Sequence, residues 1–262
     1  GNTVVAKPAE QTPRIAEAAV QIFYGAGLPR EALQLVQGDG KVGGELVADP
    51  RIAGVAFTGS TEVARIINRT LAAKEGPVVP LIAETGGLNA MIVDSTALPE
   101  QVVDAVVQSA FRSAGQRCSA LRLLCLHESI AAGVIDMLAG AMAELHVGPA
   151  AKLATDVGPL IDAQAHAHIA RHVERLHRSA RLLAASPRGA AGAHHQVPIA
   201  FEIGRVEDLT EEVFGPVLHV VRWSGEVDAL VDRINALGYG LTLGVQTRID
   251  RSEEHTSELQ SL

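Results

Sequence analysis

Short apolar runs alternate along this chain with stretches whose apolar residues recur at helical spacing. That alternation is the pattern of an α/β fold, in which helices cover a largely parallel sheet. Strands are expected over residues 4–6, 33–37, 52–58, 78–83, 90–93, 121–126, 217–222 and 242–246. Helices are expected over 13–24, 43–48, 61–73, 99–113, 130–145, 163–180 and 226–236. Their ends are marked by Pro13, by Gly25-Ala26-Gly27 with Pro29, and by Ser60 at an N-cap with Glu62 in the first turn. Residues 186–197, rich in Gly, Ala and His, read as the least ordered stretch. A boundary near Glu84 divides residues 1–84 from 85–250.

Composition narrows the fold and the partners. Hydrophobic residues make up 47% but aromatics only 3%, so the core must be built from Ala, Val, Leu and Ile. The net charge of −8 is spread without long single-sign runs, which argues against a nucleic-acid partner through this region. Two cysteines, Cys118 and Cys125, make no disulfide framework and fit a reducing, cytoplasmic setting. No apolar stretch approaches the roughly 20 residues of a membrane span. The first residues read as the start of a strand. Residues 251–262 lack an apolar period and resemble a translated sequencing adapter, so they are expected to be a non-native tail on a truncated chain.

Two groups carry the chemistry. Cys118 sits in Gly115-Gln116-Arg117-Cys118-Ser119, and Glu84 opens Glu84-Thr85-Gly86-Gly87. A thiolate attacks electrophilic carbon, and a carboxylate activates a thiol or a water. A cysteine alone is more often core than nucleophile. The polar neighbours, and Arg117 as a cation beside a thiolate, tilt Cys118 toward chemistry. Cys125, in an apolar strand, reads as structural.

The remaining motifs are each open to two readings. Phe57-Thr58-Gly59-Ser60 joins a strand to a capped helix start, where N–H groups suit a pyrophosphate, although no G-x-G-x-x-G is present. Lys7 and Glu10 follow another strand end and suit ribose hydroxyls, or else form a surface ion pair. Glu211-Glu212-Val213-Phe214-Gly215-Pro216 places a carboxylate beside a ring, or is an acidic turn with one buried Phe. His168 and His172 share one helix face, which reads as solvated; no metal site is expected.

These motifs, in this order across nearly all of residues 1–250, resemble the aldehyde dehydrogenase superfamily. The segments 90–95, 109–111, 115–121 and 238–245 resemble its glutamate-semialdehyde dehydrogenase branch, as carried by bifunctional proline utilisation A proteins. The resemblance implies a partial Rossmann-like NAD-binding domain over 1–84 and an α/β catalytic domain over 85–250. It implies Cys118 as nucleophile and Glu84 as the base for hydrolysis. It implies NAD held by Lys7, Glu10, Gly59, Ser60, Glu212 and Phe214, with Ser119 on the carboxylate of a small aldehyde substrate. It further implies a homo-oligomeric parent, fused to a proline dehydrogenase domain and either cytoplasmic or peripheral to the bacterial inner membrane. The family's oxyanion Asn and substrate anchor loop have no counterpart among these residues, so the chain alone is expected to be inactive. The rival readings are another subclass, such as a succinate-semialdehyde enzyme, and a non-catalytic NAD-binding module.

Overall fold

A computed structural model describes residues 1–187, 192 and 194–249. The chain divides between Thr85 and Gly86 into two compact units. The tail expected at 251–262 lies outside the described residues, as does part of the 186–197 stretch.

Unit 1 is built from two parallel strand pairs. β1 (Val4–Ala6) pairs with β2 (Leu33–Leu35) across α1 (Pro13–Gly25), and β3 (Val55–Thr58) pairs with β4 (Leu81–Glu84) across α3 (Thr61–Ala72). Between them lies α2 (Gly40–Ala48), which starts before the expected residue 43. The reason is an N-cap: the Asp39 carboxylate accepts from the N–H groups of Lys41 at 2.9 Å and Val42 at 3.4 Å. α3 is amphipathic and buries Ala64, Ile67 and Leu71 at helical spacing.

Unit 2 holds a six-stranded sheet flanked by helices. In spatial order its strands are β10 (Leu243–Gln246), β5 (Ala90–Val93), β6 (Leu123–His127), β9 (Val217–Trp223), β8 (Ile199–Glu202) and β7 (Arg181–Ala185). All neighbours are parallel except the edge pair β7 and β8. β5 and β9 are buried almost throughout, as strands covered on both faces are. The covering helices include α4 (Pro99–Phe111), α5 (Glu128–Ala143), α6 (Ala163–Ser179) and α7 (Val227–Asn235). Among the described residues no helix is long and apolar enough to cross a membrane.

Three sequence expectations need correction. β7 and β8 fall where no strand is expected, because Arg181-Leu182-Leu183-Ala184-Ala185 continues the composition of α6 without a turn signal. The helix expected to reach residue 113 stops at Phe111. There the chain enters a 3₁₀ turn, Arg112–Gly115, in which Ser113 (φ 56°) and Ala114 (φ 53°) are left-handed. Finally, His172 is buried rather than solvated.

Candidate active site

The left-handed turn delivers the thiol. Gly115 continues it at φ 65°, and a Cβ there would lie 2.2 Å from the Gly215 carbonyl oxygen. Glycine is required twice over, by backbone conformation and by this close approach. The contact brings the Cys118 turn against the loop that carries Glu212 and Phe214. Gln116 ties the same turn to residues 159–161, donating to the Pro159 carbonyl (3.1 Å) and accepting from the Ile161 N–H (2.8 Å).

Cys118 itself is half-buried. Its carbonyl accepts from Asn89 Nδ2 at 2.6 Å, and the same amide donates to the Ala120 carbonyl at 2.8 Å. The Ala120 N–H closes a turn onto the Arg117 carbonyl (3.0 Å); among the described residues the Cys118 N–H has no acceptor. An N–H left free beside a nucleophile is the geometry of an oxyanion donor. Ser119 borders two openings. One is a cleft of about 510 Å³ with Asp104, Gln108, Arg112 and Arg117, and the other is a smaller cavity of about 200 Å³ with Asn89, Ser109 and Thr242. Cys125, by contrast, is fully buried in β6, and burial pushes its thiol up to about 12.

Glu212 is held over the start of unit 2. It accepts from the Gly87 N–H at 3.4 Å, and a Cβ on Gly86 would fall 1.9 Å from its Oε2. Arg122 lies 3.8 Å away and is fully buried. Burial raises the Glu212 carboxyl above its usual range, opposed by the Gly87 N–H and by Arg122. Phe214 is 42% exposed, so the turn's buried apolar residue is Val213 and not the Phe. The Arg122 guanidinium sits 5.4 Å from the Phe214 ring centroid.

Within unit 1 the expected cofactor groups cluster at strand ends. Thr58 and Glu84 are register partners at the carboxyl ends of β3 and β4, and the Gly59 N–H donates to the Glu84 carbonyl (3.0 Å). A Cβ on Gly59 would strike the Phe57 ring at 2.4 Å. Ser60 Oγ caps α3 by accepting from the Val63 N–H (3.2 Å). The first N–H groups of α3 lack intrahelical acceptors, as at any helix start, and suit an anion. Lys7 donates to the carbonyls of Pro8 (2.7 Å) and Gly38 (2.9 Å), in place of the ion pair with Glu10 held open above. Glu10 is exposed on the turn after β1.

Asn89 and Arg122 are the site-building residues that sequence reasoning missed. The signal was present: each is a lone polar residue at the head of an apolar run, Leu88-Asn89-Ala90-Met91 and Leu121-Arg122-Leu123-Leu124. A buried polar group must be hydrogen-bonded, so such a residue marks a site where something is held.

Residues 1–261 match the aldehyde dehydrogenase family. The chain is 52% identical over 264 residues to the bifunctional protein PutA of Klebsiella aerogenes, covering 96% of this chain and 20% of that protein. It is similar to a crystal structure of a Bradyrhizobium japonicum proline utilization A mutant, with a TM-score of 0.95 and 57% identity over 99% of this chain and 27% of that one. A 1-pyrroline-5-carboxylate dehydrogenase from Thermus with bound NAD matches with a TM-score of 0.90 and 32% identity, over 100% of this chain and 51% of that one. This chain therefore spans 20% of the length of the Klebsiella relative. Because the family pattern runs through residues 1–261, the chain belongs to the aldehyde dehydrogenase family.

Proposed function

We propose that this chain serves the NAD-dependent oxidation of L-glutamate γ-semialdehyde to L-glutamate, the second step of proline catabolism, within a protein that also bears a proline dehydrogenase domain. The observation that carries this reading is the Cys118 turn. Its thiol is half-buried, its carbonyl is held by Asn89, and among the described residues its N–H has no acceptor, in a chain 52% identical to a PutA.

The residues fit the chemistry as follows. Cys118 Sγ attacks the aldehyde carbon, and the carbonyl oxygen becomes the oxyanion of a thiohemiacetal beside the Cys118 N–H. NAD, when bound, would supply the hydride acceptor for oxidation of that adduct, and Cys118 Sγ would hold the resulting acyl group as a thioester. Glu84 removes a proton from water as it attacks the thioester carbon, releasing the carboxylate product and the thiol. Ser119, at the edge of both cavities, donates to the substrate carboxylate. For the cofactor, the open first turn of α3 with Gly59 and Ser60 receives the pyrophosphate. Lys7 and Glu10 would hold the adenosine ribose, and Glu212 and Phe214 would hold the nicotinamide riboside. An acid at Glu10 disfavours a 2′-phosphate, which selects NAD over NADP.

The test is a substrate panel on the full-length protein. A higher kcat/KM for glutamate γ-semialdehyde than for succinate semialdehyde, abolished in Cys118→Ala, is expected. A preference for succinate semialdehyde would move the protein to another subclass, and full turnover by Cys118→Ala would remove the covalent mechanism. Residues 1–250 alone are expected to give no steady-state NADH.

A further inference from the structure

Arg122 is fully buried, yet it spans two loops. Its NH2 group donates to the Arg117 carbonyl at 3.0 Å, the peptide just before Cys118. Its NH1 group donates to the Gly215 carbonyl at 3.1 Å, and Glu212 Oε1 lies 3.8 Å from NH2. Nε has no partner. Burial draws the guanidinium down to about 10, opposed by the charges of Glu212 and Cys118. An apolar side chain of similar volume would join β6 to its neighbours without that cost. What an apolar side chain cannot do is grip two carbonyls on different loops and face a carboxylate at the same time.

The root of Arg122 is fixed as firmly as its tip. Its N–H donates to the Asn89 carbonyl (3.0 Å), and its own carbonyl accepts from the His219 N–H (3.0 Å). His219 Nδ1 also lies 2.9 Å from that carbonyl, His219 Nε2 lies 2.8 Å from His172 Nε2, and Arg175 NH2 lies 2.7 Å from His172 Nδ1. Only one proton assignment satisfies all three contacts. Arg175 donates to His172 Nδ1, His172 Nε2–H donates to His219 Nε2, and His219 Nδ1–H donates to the Arg122 carbonyl, with both rings neutral. Arg175 completes the chain at the surface by pairing with Glu211 at 3.0 Å.

We propose that Arg122 is a positioning residue for the oxidation assigned above, holding the Cys118 turn and the 212–215 loop in one register, with His219 fixing its root. The inference rests on the roles given to Cys118 and Glu212. Through this clamp the nucleophile and the ribose-binding carboxylate keep a fixed separation.

The test uses Arg122→Met, Arg122→Lys, His219→Asn and His219→Leu in the full-length protein. Three quantities are read: kcat, NAD affinity by equilibrium titration, and the rate of Cys118 alkylation by iodoacetamide. Arg122→Met is expected to lower kcat by roughly 100-fold, the scale of a small misplacement of reacting groups. It is also expected to weaken NAD binding and to change the alkylation rate several-fold. Arg122→Lys, a point charge that cannot fork between the two carbonyls, is expected to fall between Met and wild type. His219→Asn keeps a donor near the Nδ1 position and is expected to lose less than His219→Leu in all three readouts. A folded Arg122→Met with wild-type alkylation and NAD affinity would overturn the proposal. Where Arg122→Met does not fold, equal losses in His219→Asn and His219→Leu would do so. Absence of aldehyde oxidation in the wild-type protein would instead sink the functional reading, while alkylation and NAD titration would still judge the clamp.

Discussion

In unit 1, Lys7, Ser60 and Glu84 stand at or just beyond the carboxyl ends of short parallel strands, above a small set of buried apolar side chains: Val20, Ala64, Ile67 and Leu71. In unit 2, Asn89, Cys118, Glu212 and Thr242 all precede strands, so the site lies at the amino edge of a densely buried sheet. The means of holding differ as well. Ser60 accepts from an N–H three residues on, whereas Arg122 reaches Gly215 across 93 residues and Gly87 reaches Glu212 across 125. The contrast teaches that Ser60 is placed by local chain geometry, and the Cys118 turn and Glu212 by contacts distant in sequence. Damage to the first should stay local. Damage to the second should spread through the unit.

Two glycines sharpen this comparison most. Gly115 in unit 2 and Gly27 in unit 1 both have positive φ, 65° and 94°. A Cβ on Gly27 meets nothing within 4 Å, while one on Gly115 meets the Gly215 carbonyl at 2.2 Å. Gly115→Ala should therefore cost roughly 3–5 kcal/mol by urea unfolding and abolish turnover, against about 1–2 kcal/mol for Gly27→Ala from backbone strain alone. Equal costs would break the comparison.

The next effect is acid sensitivity from the buried His172–His219 pair of unit 2. Burial, reinforced by Arg175 and by the neighbouring ring, holds His172 at about 4 and His219 at about 3, against 6.5 in the unfolded chain. Folded pKa values below the unfolded value mean that the fold excludes a proton the unfolded chain binds. Stability from these rings is therefore complete above 6.5 and is lost as pH falls toward 4. The loss should be on the order of 2 kcal/mol per ring by about pH 5, read from urea midpoints at about pH 7 and pH 5. A His172→Gln variant should flatten this dependence.

The smallest effect belongs to unit 1. Ser60→Ala should cost about 1 kcal/mol of stability through the lost cap and raise the KM for NAD. It should leave the alkylation rate of Cys118 unchanged; a changed rate would show that the two ways of holding are coupled.

The same division decided what the sequence could disclose. The cap at Ser60, the stop at Gly25-Ala26-Gly27 and the α/β alternation are local signals, and they read correctly. The left-handed turn at Ser113 and Ala114 has no local signal, because Arg112-Ser113-Ala114 carries no residue that favours positive φ. The spacing of His172 to His168 suggests a solvated face, yet Ile169, His172 and Leu176 share helical spacing and are all buried, so the apolar partners decide which way the ring turns. β7 is not legible locally, because a strand at residues 181–185 following directly on a helix looks like more helix.

The central claim is that Cys118 carries the substrate and Glu84 releases it. A Glu84→Gln variant of the full-length protein, mixed with glutamate γ-semialdehyde and NAD and quenched in acid, tests this by peptide mass spectrometry. The account predicts a burst of about one NADH per site, with the Cys118 peptide carrying the acyl group as a thioester. An unmodified Cys118 peptide accompanied by wild-type turnover would contradict it.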